Sequence, residues 1–337
     1  MAVRTLRPVA IAGLGMYVPE RILTNVELES MVETNNDWIV SRTGIRERRT
    51  AAEGQATSDL AVPAALEALR VAGLAPTDLD LIIVATCTGD MGSFPATAAI
   101  VQDRLGAGKI PAFDVAAVCS GFVYALDVAS QYVAGGRYDN VLVIGAEVLS
   151  KVVDWTDRNT CVLFGDGAGA VVVQPGIEGE GILGSILGAD GSGACLLNIP
   201  AGGTRNPLTR ALIDERQNFM MMKGREVFRF AVEIMGEAAL QVLASVGLTA
   251  DQVDLFVPHQ ANVRIIDAAA KRLGLPKEKV FVNVDRYGNT SAASVPLALC
   301  EAWRSGRIRP GDTVVTVGFG AGLTWGANVI KWGNLLP

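Results

Sequence analysis

The sequence predicts an α/β protein built from two similar halves, each alternating strands and helices around a mainly parallel sheet covered on both faces. The first observation is a repeat. Ala64-Ala65-Leu66, Leu69, Gly73-Leu74 and Asp80-Leu81 return without a gap as Ala238-Ala239-Leu240, Leu243, Gly247-Leu248 and Asp254-Leu255, a constant offset of 174. Self-similarity on this scale marks a duplicated unit. Second, each copy has the pattern of an amphipathic helix, a Gly-Leu stop and an apolar strand. Third, 337 residues, 50% hydrophobic, with 37 glycines and only 19% charged, exceed one core and suit strands buried on both faces. The expected halves are residues 1–176 and 177–337.

In the first half the pattern predicts a strand near 9–13, a helix after Ser58, strand 81–85, a helix after Pro95, strand 112–117, helix 120–134, strand 141–145 and a strand around Val171–Val173. Pro175-Gly176 and the glycine-rich run to Gly203 are expected to be the crossover. The second half predicts helix 225–246, strand 253–257, helix 262–273, strand 280–283, helix 292–304 and strands 312–318 and 323–331.

The chain has one histidine, His259, in Val257-Pro258-His259-Gln260-Ala261-Asn262. Imidazole is the side chain best suited to move protons near neutral pH, so histidine chemistry must pass through this position. His259 ends the second copy's strand, where the first copy has Ala85. Cys119 follows an apolar strand and heads a helix that runs to Gly135-Gly136-Arg137, and Asn289 stands ahead of a similar helix running to Gly306-Arg307. Counted from the shared Gly-Arg, Cys119 and Asn289 fall at the same place. Two halves packed about a pseudo-twofold axis are expected to bring Cys119, His259 and Asn289 into one pocket. Unpaired amides and the dipole at a helix head favour thiolate, and an asparagine amide can donate to an oxyanion. Each residue also has a plainer alternative: an inert buried cysteine, a satisfied core histidine, a helix-capping asparagine.

A net charge of −6 argues against nucleic acid as a principal partner. Basic residues do cluster, as Arg46, Arg48 and Arg49, as Lys223, Arg225 and Arg229, and as Arg264, Lys271 and Arg272, and solvated faces are their ordinary explanation. The five cysteines, Cys87, Cys119, Cys161, Cys195 and Cys300, have no CxxC spacing. Neither a disulfide framework nor a metal site is expected. The opening segment is too short in apolar residues for a signal peptide or membrane span, so the expected compartment is the cytoplasm. Gly13-Leu14-Gly15 lacks the third glycine of a dinucleotide fingerprint, and no Gly-Lys-Ser/Thr element occurs.

Taken together, Cys119 in Phe-Asp-Val-Ala-Ala-Val-Cys-Ser-Gly-Phe, His259 in Val-Pro-His-Gln-Ala-Asn and Asn289 in Tyr-Gly-Asn-Thr-Ser-Ala-Ala-Ser closely resemble the β-ketoacyl-acyl carrier protein synthase III family. So do residues 36–49, Asp157-Arg158, Phe164-Gly-Asp-Gly-Ala-Gly169, Gly224-Arg-Glu-Val-Phe228 and the closing Gly-Phe-Gly-Ala-Gly-Leu-Thr-Trp325. The resemblance spans nearly the whole chain. It implies a thiolase-like fold, two pseudo-symmetric halves forming a five-layered α-β-α-β-α core. It also implies a homodimer that needs no cofactor beyond acyl-CoA as substrate and takes malonyl-acyl carrier protein as partner, without nucleic acid or membrane.

The resemblance implies that Cys119 is acylated, with His259 and Asn289 stabilising the enolate formed on decarboxylation and the backbone N–H groups of Cys119 and Ala321 forming an oxyanion hole. Coenzyme A contacts are implied for Thr34, Trp38, Arg158, Gly224, Phe228, Ala261 and Asn262. Carrier-protein contacts are implied for Arg229, Arg264, Lys271 and Arg272, and Phe94 is implied to close an acyl pocket across the dimer. Related polyketide-type condensing enzymes share the triad. A papain-type hydrolase would not require the asparagine, and a catalytically dead binding protein would have lost a triad member.

Overall fold

The computed structural model describes residues 6–334. Strands Val9–Tyr17, Gly167–Pro175, Val141–Glu147, Leu81–Ala85 and Ala112–Val115 lie side by side in that order as one sheet. Gly181–Ala189, Thr324–Lys331, Thr313–Gly320 and Leu255–Pro258 form a second sheet in the equivalent order. The repeat in the sequence is thus a repeat of topology.

Helices Thr57–Ala72 and Thr97–Leu105 cover the outer face of the first sheet, and Gly224–Ser245 and Val263–Leu273 that of the second. Between the sheets lie Gly121–Ala134 and Ser294–Arg304, each touching both. The result is a five-layered α-β-α-β-α core of the thiolase type. The two middle helices are apolar nearly all round because they are covered all round. Phe122, Leu126 and Val133 of one share a core with Val295, Ala298 and Leu299 of the other, and with Val143 and Val257 from the two sheets. The Gly-Leu stop is a real cap: Gly73 takes φ 68, and the N–H of Leu74 donates to the Leu69 carbonyl at 3.0 Å, a left-handed turn glycine makes without strain.

Four expectations need correction. Both sheets are mixed rather than mainly parallel, because Gly167–Pro175 and Thr324–Lys331 pair antiparallel with their neighbours. No helix separates Thr313–Gly320 from Thr324–Lys331, and so short a link allows only an antiparallel hairpin. The presumed crossover contains a full edge strand, Gly181–Ala189. Its glycines look like turn residues, but a Cβ at Gly188 would stand 2.4 Å from the Trp325 ring, so glycine there permits close packing. Residues 280–283 form no strand; only Val280 bridges to Phe256.

The fourth correction concerns the helix heads. Short turns Val118–Ser120 and Ser291–Ala293 lead into the two middle helices, and Val118 and Ser291 share left-handed backbone at φ 46 and φ 48. Cys119 therefore corresponds to Ala292, not Asn289. The helices that follow have 14 and 11 residues, so counting back from the Gly-Arg slips by the difference.

Candidate active site

Cys119 is 5% exposed at the point where the first sheet's edge strand turns into the middle layer. Two glycines of the second sheet let the chain pass this close: a Cβ at Gly320 would stand 2.7 Å from the Cys119 nitrogen, and one at Gly318 3.2 Å from its carbonyl oxygen. Ser120 Oγ lies 2.9 Å from Thr324 Oγ1, which lies 3.1 Å from the carbonyl oxygens of both Ala117 and Ala321. These contacts tie the Cys119 turn to the Ala321 turn. Neither the Cys119 N–H nor the Ala321 N–H has an acceptor among the described residues. Backbone N–H groups left without an acceptor can receive an oxyanion.

His259 is 1% exposed. Its backbone N–H donates to the Val317 carbonyl at 2.7 Å, which pins the end of its strand to the neighbouring one. Nδ1 lies 2.5 Å from Ser294 Oγ, and Phe319 packs edge-on against the ring with centroids 5.3 Å apart. The Gln260 N–H points at the same hydroxyl oxygen, 3.5 Å away, so Ser294 accepts there and its proton is available for Nδ1. That arrangement leaves the imidazole proton on Nε2, which is buried and has no partner among the described residues. Burial pushes the His259 pKa down to about 3, so the ring is neutral near neutral pH and acts as a hydrogen-bond donor rather than an imidazolium.

Asn289 is held by its backbone, whose N–H donates to the Leu163 carbonyl at 2.8 Å and whose carbonyl accepts from the Gly165 N–H at 3.0 Å. Its Oδ1 accepts from the Ser291 N–H at 2.9 Å. The amide is thereby oriented, and its N–H2 has no acceptor among the described residues.

All three side chains line one narrow pocket of about 90 Å³, together with Gly224, Phe228, Ala261 and Asn262. On the other side of Cys119 a second cavity, of about 240 Å³, is lined by Cys87, Leu149, Val152, Ile199 and Met220, and also by Ser291 and Ala321. Cys119 is the thiol at the junction. Its expected thiolate bias is not what the site provides: burial pushes the thiol up to about 12, the Ser291 hydroxyl pulls against this, and the Glu147 charge adds to it.

The remaining predicted residues fall in several places. The Arg158 guanidinium stacks on Trp38, 4.6 Å from the ring centroid, away from the narrow pocket. Thr34 has a buried hydroxyl without a partner among the described residues. Asn262 caps helix Val263–Leu273 through the Arg264 N–H and donates to the Arg42 carbonyl at 3.0 Å. Arg264 lies over the Phe228 ring at 5.0 Å, at the rim of the pocket. Arg229, Lys271 and Arg272 are exposed, and Arg272 also crosses Gly236 and approaches Glu237 to 3.8 Å. Phe94 is 84% exposed and lines neither cavity of its own chain. In the basic cluster at 46–49, Arg48 is not a solvated charge but fully buried, donating to the carbonyls of Leu23 and Val162 and to Asn25 Oδ1. The sequence assigned no role to Ser294, Ser291 or Glu147. A carboxylate closing the otherwise apolar run Val141–Glu147 was the available signal for the last.

Two duplicated sheets around paired middle helices, with a buried cysteine at one helix head facing a histidine and an asparagine from the other half, define a condensing acyltransferase of the thiolase class. Family profiles described as 3-oxoacyl-[acyl-carrier-protein] synthase III and its C-terminal part match residues 113–191 and 243–332. Over 329 residues the chain is 58% identical to the β-ketoacyl-[acyl-carrier-protein] synthase III of Symbiobacterium thermophilum, covering 98% of this chain and 99% of that one. The crystal structure of 3-oxoacyl-[acyl-carrier-protein] synthase III from Aquifex aeolicus matches with a TM-score of 0.89 at 48% identity, over 96% of this chain and all of that one. The priming β-ketosynthase of the R1128 polyketide pathway matches with a TM-score of 0.91 at 35% identity, over 100% and 99% of the two chains. The chain belongs to the β-ketoacyl-[acyl-carrier-protein] synthase III family. No helix among the described residues is long and apolar enough to cross a membrane.

Proposed function

We propose that this chain catalyses the initiating condensation of type II fatty acid synthesis, joining a short acyl-CoA, acetyl-CoA first among them, to malonyl-acyl carrier protein. The products are a 3-oxoacyl-acyl carrier protein, carbon dioxide and coenzyme A. The observation that carries this assignment is the convergence of Cys119, the free His259 Nε2 and the free Asn289 amide on one pocket.

The Cys119 thiol loses its proton to solvent as its sulfur attacks the acyl carbonyl carbon, and the carbonyl oxygen takes up charge between the N–H groups of Cys119 and Ala321. Collapse expels the coenzyme A thiolate, which takes a proton from solvent. Malonyl-carrier protein then enters by the same pocket. As carbon dioxide leaves, the bonding electrons become an enolate whose oxygen accepts from His259 Nε2–H and Asn289 Nδ2–H. Two oriented neutral donors suit that task, because they favour the charge that develops without requiring a proton transfer. The enolate carbon attacks the acyl-cysteine, and the thiolate of Cys119 leaves and takes a proton back from solvent. Acyl-CoA is a substrate in this sequence, and no further cofactor is called for.

Gly224, Phe228, Ala261 and Asn262 would line the pantetheine path, and Thr34, Trp38 and Arg158 would receive the nucleotide. Adenine stacking on Trp38 requires Arg158 to lift off the ring it now covers. Arg264, Arg229, Lys271 and Arg272 would meet the acidic carrier protein by electrostatic steering. Phe94, outside its own cavity, would close the acyl pocket of a partner subunit in a homodimer working in the cytoplasm. A polyketide-priming enzyme would use the same steps with another starter. Radiolabelled acetyl-CoA and malonyl-carrier protein should give acetoacetyl-carrier protein. Absence of that product, with turnover of a different acyl-CoA from a panel, would move the assignment to the second activity.

A further inference from the structure

The larger cavity beside Cys119 is closed on one side by a stretch of chain that the rest of the molecule barely holds. Residues 199–220 leave strand Leu197–Asn198 and return in Met221–Met222, which pairs with it antiparallel. Both feet of this strap, Ile199 and Met220, line the cavity. Between them the chain turns back through Gly202 and Asn206 and makes the short helix Arg210–Asp214. No residue from 202 to 219 is buried, and Leu208 and Ile213 lie exposed. A segment with so little buried apolar surface gains little from packing, so its position depends on its few polar ties.

Among the described residues, hydrogen bonds tie the strap to the body at two points, and both fall on residues 152–154. The Met220 N–H donates to the Val152 carbonyl at 2.9 Å. Arg216 forks onto Asp154, its Nε donating to Oδ2 at 2.5 Å and a terminal N–H to Oδ1. The Asp154 side chain is only 13% exposed, and its Oδ1 also accepts from the Thr156 N–H at 2.8 Å and the Thr156 hydroxyl at 2.7 Å. A two-bond fork onto a shielded, oriented carboxylate is a stronger tie than an ordinary surface ion pair. The guanidinium also lies over the Phe219 ring, 4.8 Å from its centroid, so the fork fixes the neighbour of Met220. Arg216 has left-handed backbone, φ 58, which a non-glycine residue keeps only when its surroundings require it.

We propose that the Arg216–Asp154 pair is a latch that positions the strap as a wall of this cavity and so sets the longest acyl chain that Cys119 accepts. The inference rests on the function proposed above, in which pantetheine fills the narrow pocket and the acyl chain on Cys119 extends into the larger cavity. It goes beyond that reading because neither Arg216 nor Asp154 lines the cavity. Latched, the strap holds Met220 beside Val152, and the chain meets a fixed wall. An acetyl group ends two bonds from the sulfur and asks little of that wall, whereas each further methylene must be accommodated against it. Both members of the pair are positioning residues.

Single-turnover self-acylation would be compared for acetyl-, butyryl-, hexanoyl- and octanoyl-CoA in wild type, Asp154→Asn, Arg216→Asn, their double variant and Met220→Ala. Asp154→Asn keeps an oxygen for Thr156 and turns an N–H2 toward the guanidinium, and Arg216→Asn removes the guanidinium while suiting the left-handed backbone. For the first chain length that wild type takes up slowly, the latch predicts a rate relative to acetyl-CoA that rises at least about tenfold in both single variants. The double variant should shift no further than either, as two halves of one contact require. Either single variant decides the question if the other does not fold. A wild type that takes all four alike, an unshifted profile, or equal loss for every acyl-CoA would overturn the latch, the last being what mere damage to the fold would give. So would a double variant whose shift is the product of the two. Met220→Ala separates the latch from the reading beneath it. A shift there without one in the latch variants overturns the latch alone, whereas no shift in Met220→Ala overturns the acyl cavity and the latch with it.

Discussion

Val118–Ser120 and Ser291–Ala293 hold equivalent places at the heads of the two middle helices, with the same left-handed backbone before them, yet they carry different chemistry. The first presents Cys119. The second has Ala292 in that place and sets Asn289 just ahead of the turn, while the strand end that is Ala85 in the first half is His259 in the other. The difference teaches that duplication supplied the backbone and that the side chains were then divided, with the nucleophile in one half and the hydrogen-bond donors in the other. Even the close approaches are paired and unequal. A Cβ at Gly145 would stand 2.2 Å from the Ala292 carbonyl oxygen, whereas one at Gly318 would stand 3.0 Å from the Ser120 Cα.

The strongest test of this division is to remove the nucleophile. Cys119→Ala should keep the fold and take up no acyl group from acyl-CoA, as read by intact-protein mass spectrometry. A stable adduct on another cysteine of the wild type would break the comparison at its first half. Next in size is the histidine's support. Ser294→Ala removes the hydroxyl that holds Nδ1, so the Nε2 proton is no longer enforced, and release of carbon dioxide from malonyl-carrier protein should fall by about tenfold or more.

The paired glycines sharpen the comparison on the side of stability. Gly145→Ala forces a methyl group into a backbone oxygen and should destabilise by about 1–3 kcal/mol, the ordinary cost of overpacking. Gly318→Ala should cost less, and urea denaturation of the two variants would show whether the order holds. The smallest effect is expected at the rim. Arg264→Glu should raise KM for malonyl-carrier protein about tenfold at low salt while leaving self-acylation nearly unchanged, and the difference should shrink as salt is added. Equal damage to both half-reactions would return Arg264 to the solvated face its sequence context first suggested.

The duplication and the meeting of Cys119, His259 and Asn289 were legible in the sequence, the first from a period and the second from residue types with few other uses, while the five layers came with the family resemblance. What was not legible depends on contacts between halves. Gly188 read as loop because its reason, the Trp325 ring, lies more than a hundred residues away. Arg48 read as a surface charge because two of its acceptors are backbone carbonyls, of Leu23 and Val162, which no pattern of side chains reveals. Ser294, Ser291 and Glu147 escaped because their distant partners, His259 for Ser294 and Cys87 and each other for Ser291 and Glu147, are brought near only by the fold.

The central claim, that Cys119 acts in the first stage and the His259–Asn289 pair in the second, is tested most directly by following both half-reactions in His259→Ala. The acyl adduct on Cys119 should form at close to the wild-type rate, while carbon dioxide release from malonyl-carrier protein should drop by about a hundredfold, the cost of losing one oriented donor to a developing oxyanion. Loss of self-acylation with decarboxylation intact would contradict the division of labour between the halves.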